Sequence, residues 1–288
     1  SLGLTAPLPP RILLVTARNW SEQEWQKHRW RRHPIRLMIP GRRHSTPYFR
    51  EFLEFFLPAA AAEVDWDRGF ESLENELRQL MPASEIGKRH VDKLVKLWLR
   101  DGSETWVLIH IEIQSQDEED FPQRLAIYQF RLRSRYHRPI ALLVVLGDDR
   151  PNWRPDRYES QFWGTTLTLT YPVVKLLDYQ ERFAELQQQR NPFAIIVRAH
   201  LGTLATRHQG QQRLQIKLSL VRELYQHGYS VAEARNIFRF IDWLLTLPPI
   251  LEQPFVEAVK TYEEGTTMPF ITSVERLGRE AGLQVGRE

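Results

Sequence analysis

Two carboxylates and one amide are the residues of this chain best placed to do chemistry. Asp92 lies in Val91-Asp92-Lys93-Leu94-Val95, and Glu112 and Gln114 lie in Ile109-His110-Ile111-Glu112-Ile113-Gln114, with an Asp101-Gly102 turn signal between them. An acid on each arm of a β-hairpin, with an amide two residues after the second acid, is the pattern of a metal-dependent phosphodiester-cleaving site in which glutamine replaces lysine. Magnesium takes oxygen ligands in octahedral geometry, usually one or two carboxylates completed by water and a substrate phosphate. Asp92 and Glu112 supply two carboxylates in this reading, and the backbone carbonyl of Ile113 a third oxygen. A metal held there lowers the pKa of a bound water and neutralises charge building on phosphorus. Gln114 shares the face of Glu112 and can orient the attacking water, but it cannot act as a base or carry lysine's charge. Glu76 is the first choice to reach a metal-bound water, with Glu71 and Glu74 as fallbacks.

The elements around these residues follow from periodicity. Val91, Val95, Leu97 and Leu99 alternate with polar residues up to Asp101-Gly102-Ser103, and a return strand is expected over Thr105 to Gln114. Trp106, Leu108, His110, Glu112 and Gln114 then share one face, and Val107, Ile109, Ile111 and Ile113 the other. A two-residue loop at Asp101-Gly102 pairs Asp92 with Ile111 and separates the acids. A three-residue Asp-Gly-Ser loop, or one bulge, pairs Asp92 with Glu112 and is the expected register, because it brings the acids together. Without a ligand, Glu112 and Gln114 are the solvated face of a half-buried strand. Their apolar neighbours Trp106 and Leu108 weigh against that, since a carboxylate under a helix is costly unless paired or metal-bound.

Helices are expected from Phe49 to Leu57, stopping at Pro58, from Phe70 to Leu80, and from Phe121 to Tyr136. The apolar run Ile140 to Leu146 reads as a strand covered on both faces. Further strands are expected at Thr166–Thr170 and Val173–Leu177. Helical segments follow near 180–189, 192–206, 211–227, 231–246 and 251–263, and then a polar tail with Gly278, Gly282 and Gly286 at a spacing of four. The simplest architecture is α/β, a mixed sheet flanked by helices over 46–178, followed by an α-helical region over 179–288. Residues 1–45 stand apart, with basic aromatic clusters such as Lys27-His28-Arg29-Trp30-Arg31-Arg32-His33. They read either as a phosphate-gripping arm or as a poorly ordered extension upstream of a start near Met38, and the second is the expectation.

Composition bears on the compartment and excludes several chemistries. The 288 residues include 42% hydrophobic and 11% aromatic side chains, enough for a packed core. The absence of cysteine excludes disulfides, thiolate zinc sites and cysteine nucleophiles, and fits a reducing, cytoplasmic setting. Lys+Arg 39 against Asp+Glu 36 is close to balance, so the placement of charge matters more than its sum. No apolar run approaches a membrane span, and Arg11 to Val15 is too short an apolar stretch for a signal peptide. His110-x-Glu112 superficially matches a zinc deaminase, but there are no cysteines to complete that site. No His-Glu-x-x-His, phosphate-binding glycine loop or Gly-x-Ser-x-Gly elbow is present.

Candidate DNA contacts surround the acids. Lys88, Arg89 and Lys93 flank Asp92, while Arg124 and Tyr128 lie one helical turn apart just after the site. Each has a plainer reading: charged strand edges aid solubility, and a tyrosine at a core edge needs no ligand. Arg131, Arg133, Arg135 and Arg138 make the Phe121–Tyr136 helix basic without forming a single stripe.

These segments together resemble a known family. Gly87-Lys88-Arg89-His90-Val91-Asp92-Lys93-Leu94-Val95, Trp106 through Gln114, and Arg124-Leu125-Ala126-Ile127-Tyr128 are similar to the recombination-promoting nuclease / putative transposase (Rpn, YhgA-like) family of the PD-(D/E)XK nuclease superfamily. The resemblance extends through Pro172 to Tyr179, Phe238 to Trp243 and Met268 to Arg276, covering most of residues 48–288 in order. It implies a restriction-endonuclease-like core and a magnesium-dependent DNA endonuclease, manganese being a substitute, linked to DNA recombination or mobile elements. Matched residue by residue, Asp92 and Glu112 take the metal-ligand positions and Gln114 the usual lysine position. His90-Val91 replaces the proline that often precedes the first acid. Three function classes stay open: an active nuclease, a nuclease-fold module that binds DNA without turnover, and an interaction protein acting through its helical half. A homodimer is one way to cut both strands.

Overall fold

The computed structural model describes residues 48–73, 76–77, 90–112 and 120–265, with backbone only at 90–92. The N-terminal extension and the glycine-spaced tail lie outside the described residues.

Helix α1 (Phe49–Phe56) buries Phe49, Phe52, Leu53 and Phe56, the stripe expected from their spacing. It stops before Pro58, as expected, and Pro58 opens a second short helix, α2 (Pro58–Glu63), at the position where its missing N–H costs nothing. The expected helix from Phe70 is corrected. Phe70–Ser72 is strand β1, paired antiparallel with β2 (His90–Trp98), and helical geometry is seen only at Glu76-Leu77 among the described residues of that stretch. Gly69, at φ 72°, turns the chain into that strand, and the unpaired edge of β2 recruits it.

β2 and β3 (Glu104–Glu112) form the expected hairpin, with a different loop. Gly102 N–H donates to the Leu99 carbonyl at 2.9 Å, Leu99 N–H donates to the Ser103 carbonyl at 2.8 Å, and Gly102 has φ 85°. The loop is therefore Arg100-Asp101-Gly102, a turn closed by a left-handed glycine, with Asp101 Oδ1 accepting the Ser103 N–H at 2.8 Å. The register follows: Asp92 pairs with His110 and His90 with Glu112, so the expected Asp92–Glu112 pair is displaced by two residues. The displacement is even, and positions 92, 110 and 112 stay on one face of the ladder.

Helix α3 (Phe121–Tyr136) crosses from β3 to β4 (Ile140–Leu146), both with the expected bounds. It ends at His137, whose left-handed φ of 51° lets its N–H cap the Arg133 carbonyl at 2.9 Å. β4 lies parallel to β3, and β7 (Val173–Lys175) parallel to β4, giving a mixed five-stranded sheet in the order β1-β2-β3-β4-β7. Between β4 and β7 the chain makes a hairpin that periodicity missed in part, β5 (Arg157–Phe162) with β6 (Thr165–Thr170), a separate two-stranded sheet.

α3 covers one sheet face, where Leu94, Leu108, Leu125, Leu132 and Val144 form a dry core. The other face, with Val95, Ile109, Leu143 and Val145, is equally buried. After a 3-10 segment at Leu176–Gln180 come α4 (Phe183–Gln188), α5 (Pro192–Ala205), α6 (Gly210–Gln226), α7 (Val231–Leu244) and α8 (Pro249–Glu264). All residues of α5 from Pro192 to Gly202 are buried. The helical part shares packing with α1: Phe193 meets Phe52 edge-on at 5.3 Å, and Asn191 Nδ2 donates to the Glu51 carbonyl at 2.9 Å. No helix among the described residues is long and apolar enough to cross a membrane.

Candidate functional site

Glu112 ends β3, where the ladder delivers it to the α3-covered face beside Leu146 of β4. Its side chain is 4% exposed, and Oε1 has no hydrogen-bond partner among the described residues. Oε2 stands 3.8 Å from His110 Nε2 and 3.9 Å from an Arg124 guanidinium nitrogen, beyond hydrogen-bond length. His110 is fully buried, edge-on to Phe121 at 5.2 Å, and Arg124 lies over the same ring at 5.6 Å. The structure thus brings Arg124 to Glu112, as its position one turn into α3 suggests.

A second polar group occupies the same sheet face two strands away. Lys175 pairs in register with Leu146, which pairs with Glu112. Lys175 Nζ donates to Asp148 Oδ2 at 2.6 Å and to the Trp153 carbonyl at 3.2 Å, with both charged side chains at most 3% exposed. Burial lowers the Lys175 pKa, and the bond to Asp148 opposes that shift. Asp148 Oδ1 accepts the Arg150 N–H at 2.9 Å. Trp153, edge-on to Phe121 at 5.3 Å, stands between the two groups.

The backbone links the acid to the helical half. Gly147 N–H donates to the Glu112 carbonyl at 2.7 Å, and the Gly147 carbonyl accepts from His200 Nε2 of α5, also at 2.7 Å. A carbonyl only accepts, so Nε2 carries the proton. Burial lowers the His200 pKa to about 4; the Gly147 bond and Asp148 oppose that shift, and Arg207 adds slightly to it.

The remaining expected residues divide three ways. Gln114, Ile113, Lys88, Arg89 and Glu74 lie outside the described residues, and Asp92 is placed by register alone. Glu76 is half-buried on its helical turn, next to Leu77 of the core. Glu71 is not on a helix but on β1, ion-paired with Lys96 at 2.9 Å. Two DNA-contact candidates are buried. Lys93 is 5% exposed and pairs with Ile109, on the face opposite Glu112, while Tyr128 is 3% exposed inside the core under α3. Neither is exposed to a nucleic-acid backbone.

Sequence reasoning missed Asp148, Lys175 and His200. Each leaves a signal, since Asp148 follows the C-terminal end of a buried strand and Lys175 and His200 interrupt apolar runs. Among the described residues no group of three or more His, Asp or Glu side chains is placed to hold a metal. The donor chemistry fits a hard cation at Glu112, since a carboxylate oxygen is a ligand such ions take and Oε1 has no hydrogen bond among the described residues. No family model, curated protein or solved structure matches this chain.

Proposed function

We propose that this chain is a metal-dependent DNA endonuclease with a restriction-endonuclease-like core, as its resemblance to the recombination-promoting nuclease family implies. One observation carries the reading: Glu112 is a buried carboxylate with one oxygen lacking a hydrogen bond among the described residues, and position 92 is its diagonal neighbour on the same ladder face. Asp92, Glu112 and the Ile113 carbonyl would hold magnesium or manganese. When bound, that ion supplies an activated water and charge neutralisation at phosphorus.

The chain's own residues do the rest. Arg124, with a side chain 15% exposed beside Glu112, binds a phosphate oxygen at the scissile position. Gln114 orients the attacking water through its carboxamide, and Glu76 accepts its proton. Lys88 and Arg89 hold the flanking DNA backbone. His200 and Gly147 fix the end of β3 from behind, so the acid keeps its position when the phosphate enters. The family resemblance places this cleavage in DNA recombination or mobile-element biology.

The test is plasmid cleavage with magnesium, with manganese and with chelator, beside an Asp92→Ala/Glu112→Ala variant. Metal-dependent nicking should fall by about 10²-fold or more in the variant. A folded wild-type protein that binds DNA but never nicks it would replace the nuclease with a binding module.

A further inference from the structure

The β5–β6 hairpin is built unlike the five-stranded sheet. From Glu159 to Thr168 every residue of the two strands and the loop is exposed. Its two-residue loop, Trp163-Gly164, has φ 47° and 81°, the paired positive values of a tight hairpin turn. Tryptophan is a costly choice for that backbone, where asparagine or glycine is usual. It is also 93% exposed, stacked on Phe162 (itself 69% exposed) at 5.2 Å. Nothing within the described fold uses these rings.

The free edge is as unusual as the tip. β6 reads Thr165-Thr166-Leu167-Thr168-Leu169-Thr170, with no charge and no proline, the residues that normally guard an open edge. It pairs with no strand other than β5 among the described residues. The loop is closed by the Phe162–Thr165 pair, so hydrogen bonding toward β5 falls at 165, 167 and 169. The N–H and C=O groups of Thr166, Thr168 and Thr170 therefore face outward.

We propose that this edge pairs with the β6 edge of a second copy, antiparallel about a two-fold axis at Thr168, making a continuous four-stranded sheet. The sequence from Thr166 to Thr170 is a palindrome centred on Thr168. Self-pairing sets Thr168 against its own copy, Thr166 against Thr170, and Leu167 against Leu169, and all three outward-facing threonines fall at hydrogen-bonding positions. An isologous contact requires that self-complementarity. The ladder ends at Pro172, which has no N–H. The aromatic loop of each copy thus stands at the base of the other hairpin, which gives the exposed rings a surface to cover. Charge argues against a nucleic-acid occupant. Arg157 is the only cation in the hairpin, it is ion-paired with Asp156 at 3.3 Å, and phosphate binding needs several.

Sedimentation equilibrium on the full chain tests this. The wild type should dimerise. Thr168→Lys and Thr168→Glu should each dimerise about tenfold or more weakly, because like charges meet across the axis. Mixing the two variants should restore the dimer, a rescue that misfolding cannot produce. As a second reading, Thr168→Cys should oxidise to a covalent dimer in this cysteine-free chain, since directly opposed residues stand about 5.5 Å apart, within disulfide range, while Ser160→Cys on β5 should not. A monomeric wild type, a Thr168→Lys dimer as tight as wild type, or a dimer that Thr168→Cys does not cross-link would each overturn the proposal.

Discussion

Two charged groups lie on the same sheet face at the same end of the sheet, on strands separated by β4, similarly buried and differently satisfied. Lys175 and Asp148 meet at 2.6 Å, and a backbone carbonyl and a backbone N–H take up further valences of the pair. Glu112 Oε2 has His110 Nε2 at 3.8 Å and an Arg124 nitrogen at 3.9 Å, and Oε1 has no hydrogen bond among the described residues. Burial alone does not separate a structural charge from a functional one. A buried charge that the chain pairs internally is part of the scaffold; one that the chain leaves short of partners is held ready for something that arrives. The first group braces the end of the sheet, and the second is where the proposed metal would bind.

The sharpest way to break that contrast is to cut the satisfied pair. Lys175→Met should cost about 3–5 kcal/mol in urea unfolding, because it strands the Asp148 carboxylate in the core. Adding Asp148→Leu should recover most of that loss, since two apolar groups need no partners. A single variant losing under about 1 kcal/mol would mean that Asp148 is hydrated, and the scaffold reading would fail. The next effect is the pH response of His200. Its pKa falls from 6.5 to about 4 on folding, so the unfolded chain binds the extra proton between those values. That contribution to stability is full above pH 6.5, drains as pH falls, and levels off below about 4, a loss on the order of 3 kcal/mol. His200→Gln keeps a donor for the Gly147 carbonyl without titrating. Its stability should fall less steeply across this window, and parallel profiles for the two proteins would sink the assignment.

Legibility in the sequence tracked the regularity of a segment's side-chain pattern. α3 and β4 match their expected bounds because a strong apolar pattern meets clear stops at Tyr136 and Gly147. Phe70 and Leu73 mimic helical spacing, yet the edge of β2 pulls Phe70–Ser72 into the sheet, a tertiary effect that no local pattern carries. β5 was illegible because Arg157–Phe162 carries no regular alternation, whereas the equally exposed β6 alternates threonine with leucine and was expected. The hairpin register slipped because Asp-Gly was read as the start of the loop, while Gly102 is its last residue. Parity survived the slip, and with it the shared face of positions 92 and 112. Glu112 and Arg124 were legible because both stand near the ends of strongly patterned elements. The Asp148–Lys175 pair spans 27 residues, a contact that only the fold could supply.

The smallest stability effect is the most discriminating. Glu112→Gln keeps the shape of the side chain and removes its charge. If Glu112 waits for a cation, the amide should leave stability within about 1 kcal/mol of wild type, because no direct hydrogen bond to Oε1 among the described residues is lost. The same variant should abolish metal-dependent cleavage. It should also lose the stabilisation that wild type gains from magnesium, about 1.4 kcal/mol at ten times the dissociation constant. The two readouts pull apart only for a ligand. A scaffold charge such as Lys175 would lose stability first, with activity following in proportion to unfolding. If Glu112→Gln unfolds as readily as Lys175→Met, the two groups are alike, and the metal must be sought elsewhere on the chain.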